Sequence, residues 1–134
     1  MQLYKFVGLK YKLNINSEFV KAIQKIWTFY GLRKFLVKLE LSKISKIYLY
    51  GSFADLTYNS SSDVDLLTIF NGDTKYNVKA IQELEDYFGK EVNFIRYNDI
   101  DFFKLLKEKN KFANNVFEKG IKIYDTLISD KLLI

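Results

Sequence analysis

A chain of 134 residues, 49% of them hydrophobic and 28% charged, has the size and composition of one globular domain and too much apolar content to stay disordered. It has no Cys and no His, which excludes disulfides, thiol nucleophiles, imidazole bases and Cys/His zinc sites, so any metal must bind through oxygen, as Mg²⁺ and Mn²⁺ do. The net charge of +5, from 21 Lys and Arg against 16 Asp and Glu, would attract polyanions, but the excess is scattered Lys and reads first as a solubility feature.

In chain order, Leu9, Tyr11, Leu13 and Ile15 alternate with polar residues, the period of a half-buried strand over 9–15. Ser17 caps a helix with Glu18 at its positive end. Phe19, Ile23, Ile26, Trp27 and Tyr30 follow at helical spacing and predict its inward stripe, with Trp27, Phe29 and Tyr30 in the core rather than on a base-stacking platform. The helix ends near 30 or continues through Gly31 to about 40. Ile44 to Tyr50 is β-branched and aromatic and stops at Gly51, a strand running into a tight turn. Val64 to Phe70 is a second strand closed by Asn71, Gly72 and Asp73, followed by a helix over 75–88 with Gly89 as its cap. Glu91 to Arg96 is a third strand. Asn98 and Asp99 open a helix whose basic end (Lys104, Lys107, Lys109) suits the helix dipole. Lys111 to Lys119 is helical, Gly120 stops it, and Ile121 to Tyr124 is a short fourth strand. The pattern is α/β in the α+β sense, a small mixed sheet flanked by helices in a single domain over 1–134, with a core of about 20–125 and an extra strand segment in 1–16. No apolar run is long enough for a bilayer and no signal-peptide pattern opens the chain, so no membrane is expected and the cytoplasm is the default location.

Two features carry chemistry. Asp63 and Asp65 lie two apart on a strand, so their carboxylates leave the same face about 6.6 Å apart along the chain. Like charges held so close repel, and a divalent cation between them removes the repulsion. Gly51 and Ser52 end the preceding strand. A glycine lets the backbone turn and a ligand approach, and a helical turn starting at Ser52 presents N–H groups and a hydroxyl suited to phosphate oxygens. A phosphate cradle beside a metal-binding acid pair is what phosphoryl or nucleotidyl transfer requires.

The run Gly51-Ser52, ten residues, Asp63-Val64-Asp65-Leu66-Leu67 resembles the motif of the minimal nucleotidyltransferases (MNT), small members of the DNA polymerase beta-like nucleotidyltransferase superfamily. The resemblance extends over about 20–125, to a Gly-x-x-x-Tyr-like end at Gly120 to Tyr124. It implies a polymerase-beta-like fold, Mg²⁺ (or Mn²⁺) on Asp63 and Asp65, a triphosphate held by Gly51 and Ser52, ATP as donor, and transfer of AMP to a hydroxyl. Stand-alone members resemble the antitoxin of a toxin–antitoxin pair whose toxin is a HEPN protein, which makes a protein hydroxyl the first choice of acceptor. Two departures stand out. Where the family shows a third carboxylate on the next strand, this chain reads Val92-Asn93-Phe94-Ile95, and an amide is no general base. Glu91, on the same strand face, is the candidate substitute. Where members read x-Ala-x-Gly after Gly-Ser, this chain has Phe53-Ala54-Asp55-Leu56, with an acid near the expected triphosphate. The alternatives are a catalytically impaired relative that only binds its partner, and a basic nucleic-acid-binding domain using the Lys104, Lys107, Lys109 and Lys111 edge. The partners admitted are thus a nucleoside triphosphate, a HEPN-type protein and a second copy of the chain, with nucleic acid behind them.

Overall fold

A computed structural model describes residues 4–7, 10–14, 16–38, 43–72, 77–127 and 134. Two short strands, β1 (Tyr4–Val7) and β2 (Lys10–Leu13), pair antiparallel with Tyr4 opposite Leu13. β2 lies inside the predicted 9–15 segment, of which residues 9 and 15 fall outside the described residues, and β1 was not expected. The rest runs α1 (Glu18–Leu36), β3 (Ile44–Tyr50), α2 (Ser52–Asp55), β4 (Val64–Phe70), α3 (Val78–Phe88), β5 (Val92–Asn98), α4 (Asp99–Lys107), α5 (Lys111–Lys119) and β6 (Ile121–Asp125). The sheet order is β5-β4-β3-β6, with β4 and β5 parallel and β3 antiparallel to both its neighbours, so the sheet is mixed as predicted.

Side-chain oxygens cap the helices where the sequence offers them. Ser17 accepts from the Val20 N–H at 3.4 Å, Asn77 from Ala80 at 3.1 Å, Asn98 from Ile100 at 2.9 Å and Asn110 from Ala113 at 3.0 Å. Gly89 closes α3 in the left-handed conformation. Residues 75 and 76 of the predicted 75–88 helix, and 39 and 40 of the first, lie outside the described residues.

Helices α1 and α3 pack on one face of the sheet, where Leu32, Phe35, Leu36, Leu84 and Phe88 meet Ile47, Leu49, Val64 and Leu66. On the other face α4 and α5 bring Phe102, Ala113 and Val116 onto Tyr48, Leu67 and Ile69. The Ser45 hydroxyl ties α4 to the sheet, donating to the Ile69 carbonyl at 3.1 Å and to Asp99 Oδ1 at 2.7 Å.

The inward face of α1 differs from the predicted stripe. Phe19, Ile23, Ile26 and Tyr30 are exposed, and Val20, Gln24, Thr28, Gly31, Leu32, Phe35 and Leu36 are buried. Trp27 and Phe29 do pack against the core, Trp27 stacking on Tyr87 at 5.5 Å and meeting Phe88 edge-on at 5.0 Å. Two features turn the helix this way. The polar side chains of Gln24 and Thr28 are buried on the side of the helix that faces half-buried Tyr58, whose phenol pKa burial raises. Gly31 lies directly against the Tyr87 ring, whose hydroxyl donates to the Trp27 carbonyl at 2.8 Å. A Cβ at residue 31 would stand 2.2 Å from Tyr87 Cε1. Gly31→Ala gains about 1 kcal/mol of helix propensity. Overpacking costs about 1–3 kcal/mol, and here it also breaks the Tyr87–Trp27 bond, so the loss wins. The variant should unfold at a lower urea concentration with an unchanged slope.

At the far end of β6, buried Asp125 accepts from Lys122 Nζ at 2.7 Å and from the Leu127 N–H at 2.9 Å. The Lys122 hydrogen bond outweighs burial and holds the Asp125 carboxyl below its ordinary value. A depressed folded-state pKa contributes stability that is present above the unfolded value, near pH 4, and is lost as pH falls through the folded one. The urea midpoint should therefore drop between pH 5 and pH 3 by more in the parent than in Asp125→Asn, which lacks the titrating group.

Candidate functional site

The pairing of three strands builds the site. β3 runs toward the end of the sheet at which β4 and β5 begin, and the register sets Asp65 opposite both Tyr50 and Asn93. Residues 65, 67 and 69 of β4 thereby share the α4/α5 face with Tyr48 and Tyr50 of β3 and with Asn93, Ile95 and Tyr97 of β5. Asp63 precedes β4 by one residue, where the Val64 N–H donates to the Glu91 carbonyl at 3.0 Å. Val64, Leu66 and Leu67 are fully buried, so the strand that carries the acids is anchored through the core while Asp63 and Asp65 stay half-buried.

Gly51 connects β3 to α2 with φ +72° and ψ −156°, a conformation that only glycine adopts readily. A side chain there would also collide with the acid pair, since an added Cβ would stand 2.4 Å from Asp65 Oδ2. Asp65 thus packs against the Gly51 turn, although the two lie fourteen positions apart in the sequence. In the short turn α2 the N–H groups of Ala54 and Asp55 return to the Gly51 carbonyl, at 3.0 and 3.4 Å, which leaves the Ser52 and Phe53 N–H groups outside the turn's own bonding. Buried Phe53 holds α2 to the core and stacks flat on Tyr58, ring centres 4.0 Å apart.

Both departures from the motif have a structural counterpart. The Asp55 carboxylate folds back on Thr57, accepting from its N–H at 3.1 Å and from its hydroxyl, so its charge is engaged locally. Leu56, where the motif commonly has glycine, is left-handed at φ +63° and ψ 28°. That conformation costs a branched side chain about 1–2 kcal/mol, which accounts for the usual glycine. At the third-acid position, Asn93 Nδ2 donates to Asp65 Oδ1 at 2.9 Å and, at the outer limit of a hydrogen bond, to Asp63 Oδ2 at 3.5 Å. Glu91 is exposed and lies one residue before β5. No group of three acids able to share a metal ion occurs among the described residues.

Sequence reasoning did not single out Tyr50. Burial, then the Asp65 charge and then Tyr97, push its phenol up to about 12, so beside the acid pair it is a protonated hydrogen-bond donor and a poor nucleophile. Its only signal in the sequence is its place one residue before Gly51, and its use follows from the nonlocal Tyr50–Asp65 pairing. Phe112 of α5 meets it edge-on at 5.5 Å.

The donor set suits a hard cation. Two carboxylates and an amide converge from two adjacent strands, and the position taken by the amide NH₂ is one toward which both acids point. The groove of about 210 Å³ between α1 and α3 lies elsewhere, lined by Gly31, Lys34, Glu83 and Tyr87 among others. The described residues contain no helix long and apolar enough to cross a membrane.

Residues 32–127 match the family model described as Polymerase beta, Nucleotidyltransferase. A Methanocaldococcus jannaschii protein named "Putative protein adenylyltransferase" is 33% identical over 82 residues, spanning 61% of this chain and 80% of that one. Among solved structures, the chain is similar to a Sulfolobus solfataricus protein described as a "putative nucleotidyltransferase", at 15% identity and TM-score 0.45 over 95% of this chain and 99% of the other. It is also similar to a chain of the Shewanella oneidensis structure described as tri-AMPylated HEPN toxin in complex with MNT antitoxin, at 17% identity and TM-score 0.40 over 80% and 74%. The family match takes in all four strands of the sheet together with Gly51, Ser52, Asp63 and Asp65, and on it the chain belongs to the polymerase beta nucleotidyltransferase family.

Proposed function

We propose that this protein binds ATP with Mg²⁺ or Mn²⁺ at the end of the sheet and transfers AMP to a hydroxyl of a partner protein in the cytoplasm, the partner being of the HEPN type and the pair a toxin–antitoxin module. The observation that carries the reading is the Asp65 carboxylate packed against Gly51, which brings the acid pair to the turn that starts at Gly51-Ser52. Family membership supports nucleotidyl transfer, and the name of the Methanocaldococcus jannaschii relative supports adenylyl transfer to protein. The HEPN partner and the antitoxin role rest on the resemblance of the motif alone.

In this reading Asp63 and Asp65 hold the cation, which when bound supplies positive charge to the phosphates. The Ser52 hydroxyl and the N–H groups of Ser52 and Phe53 orient phosphate oxygens. Tyr50 adds a neutral donor beside them. Asn93 cannot take the proton of the attacking hydroxyl, and Glu91, exposed at the mouth of β5, is the carboxylate nearest in sequence for that role.

The amide at residue 93 also favours a second reading, in which the chain binds its partner without modifying it. Incubation with labelled ATP, Mg²⁺ and the protein product of the adjacent gene separates the two. Label on the partner that disappears in Asp63→Asn supports transfer. A tight complex that stays unlabelled with the parent and with Asn93→Asp supports binding alone.

A further inference from the structure

We infer that the Asn93 side chain is a built-in stand-in for the cation, holding Asp63 and Asp65 together while the site is empty and turning its oxygen toward the metal when one binds. The inference rests on the nucleotidyltransferase reading and adds a specific role for the residue that departs from the motif.

The geometry begins with the strands. Parallel pairing of β4 and β5 sets Asn93 directly beside Asp65, and the two side chains rise from the same face of the sheet. The amide NH₂ is the one part of Asn93 that is partly positive, and it reaches one oxygen of each acid, at 2.9 and 3.5 Å. A dipole there offsets part of the repulsion between carboxylates that share a strand face. A third carboxylate would do the opposite, adding a third negative charge that is tolerable only around a bound cation.

A cation drawn to the same two acids cannot share their oxygens with N–H groups. Half a turn about the Cβ–Cγ bond exchanges NH₂ for the carbonyl oxygen, and Asn93 is exposed enough to make it without moving the strand. The oxygen then becomes a neutral third ligand. Two consequences follow. The acid pair is ordered without metal, and metal binds more weakly than it would to three acids, because one ligand carries no charge and two hydrogen bonds must first be broken.

The test uses the intact chain, with Mn²⁺ alone as probe, and compares the parent, Asn93→Asp, Asn93→Ala and Asp63→Asn. In chelator, Asn93→Asp should melt several degrees below the parent and Asn93→Ala by less, and Mn²⁺ should restore Asn93→Asp beyond the parent. Calorimetric titration should show Asn93→Asp binding Mn²⁺ at least tenfold more tightly. The side-chain NH₂ resonances of Asn93 should shift when diamagnetic Mg²⁺ is titrated into the parent, and should not shift in Asp63→Asn. If the parent binds Mn²⁺ through Asp63 while the resonances stay still, melting in chelator is equal and Asn93→Asp binds no tighter, the stand-in is overturned and the functional reading stands. If Asn93→Asp alone binds Mn²⁺, the amide of the parent never becomes a metal ligand, and that half of the inference is overturned together with metal-dependent transfer by the parent. If no variant binds, both fall together.

Discussion

Changing Asp63 and Asp65 together to asparagine should abolish Mg²⁺-dependent ATP binding, a loss of at least a hundredfold, and leave the protein folded. The acids are half-buried at the start of β4, and their removal touches none of the fully buried residues that hold the strand. Without metal the double variant should melt at or slightly above the parent temperature, because two like charges have left one strand face. Titration calorimetry of ATP with and without Mg²⁺, beside thermal unfolding in chelator, reads both halves. Equal affinity in the double variant would mean that the pair is not the metal site.

A larger structural effect is expected from Gly51→Val. The backbone at φ +72° is strained for any side chain and most of all for a β-branched one, at about 1–3 kcal/mol. The new Cβ would in addition stand 2.4 Å from the Asp65 carboxylate. Either the turn opens or Asp65 moves, and both outcomes disrupt the site. The melting temperature should fall by several degrees and triphosphate binding should be lost, whereas Ser52→Ala should melt like the parent. The serine variant should weaken binding by ~1.5–3 kcal/mol, the worth of one hydrogen bond to a charged group. A parent-like affinity in Ser52→Ala would show that its hydroxyl is not a ligand.

The juxtaposition behind both predictions was legible in the sequence because its parts are local. An apolar strand that stops at Gly51 and an Asp-x-Asp that opens another apolar strand each announce themselves by period and turn chemistry, and the structure places both strands within a residue of the expected bounds. Much of what surrounds them depends on pairing across the sheet. The position of Tyr50 beside Asp65 and the bond from the Asn93 amide follow from the register of β3 and β5 against β4, which no short window encodes. Glu91 shows the same limit, since one residue decides whether it belongs to β5, and β5 begins at Val92.

For α1, helical spacing located the element but not its inward side. Phe19, Ile23, Ile26 and Tyr30 recur at intervals of four, three and four, as regular a stripe as the buried one. The choice between the two was made by a glycine that accepts the Tyr87 ring and by polar residues, Gln24 and Thr28, that the apolar pattern counts against burial. β1 escaped notice for a different reason. Tyr4 to Val7 lacks a clean alternation of polar and apolar residues, and its partner is the only strand it pairs with among the described residues.

Asp65 sits on, and Asp63 one residue before, the strand that is hydrogen-bonded on both edges and whose residues Val64, Leu66 and Leu67 have no exposed surface. A backbone so enclosed opens to solvent only when the whole sheet comes apart. Deuterium should therefore enter the Leu66 and Leu67 amides at a rate set by global unfolding, far behind the four-residue turn that follows Gly51, and the slowest-exchanging amides of this protein should lie next to its chemistry.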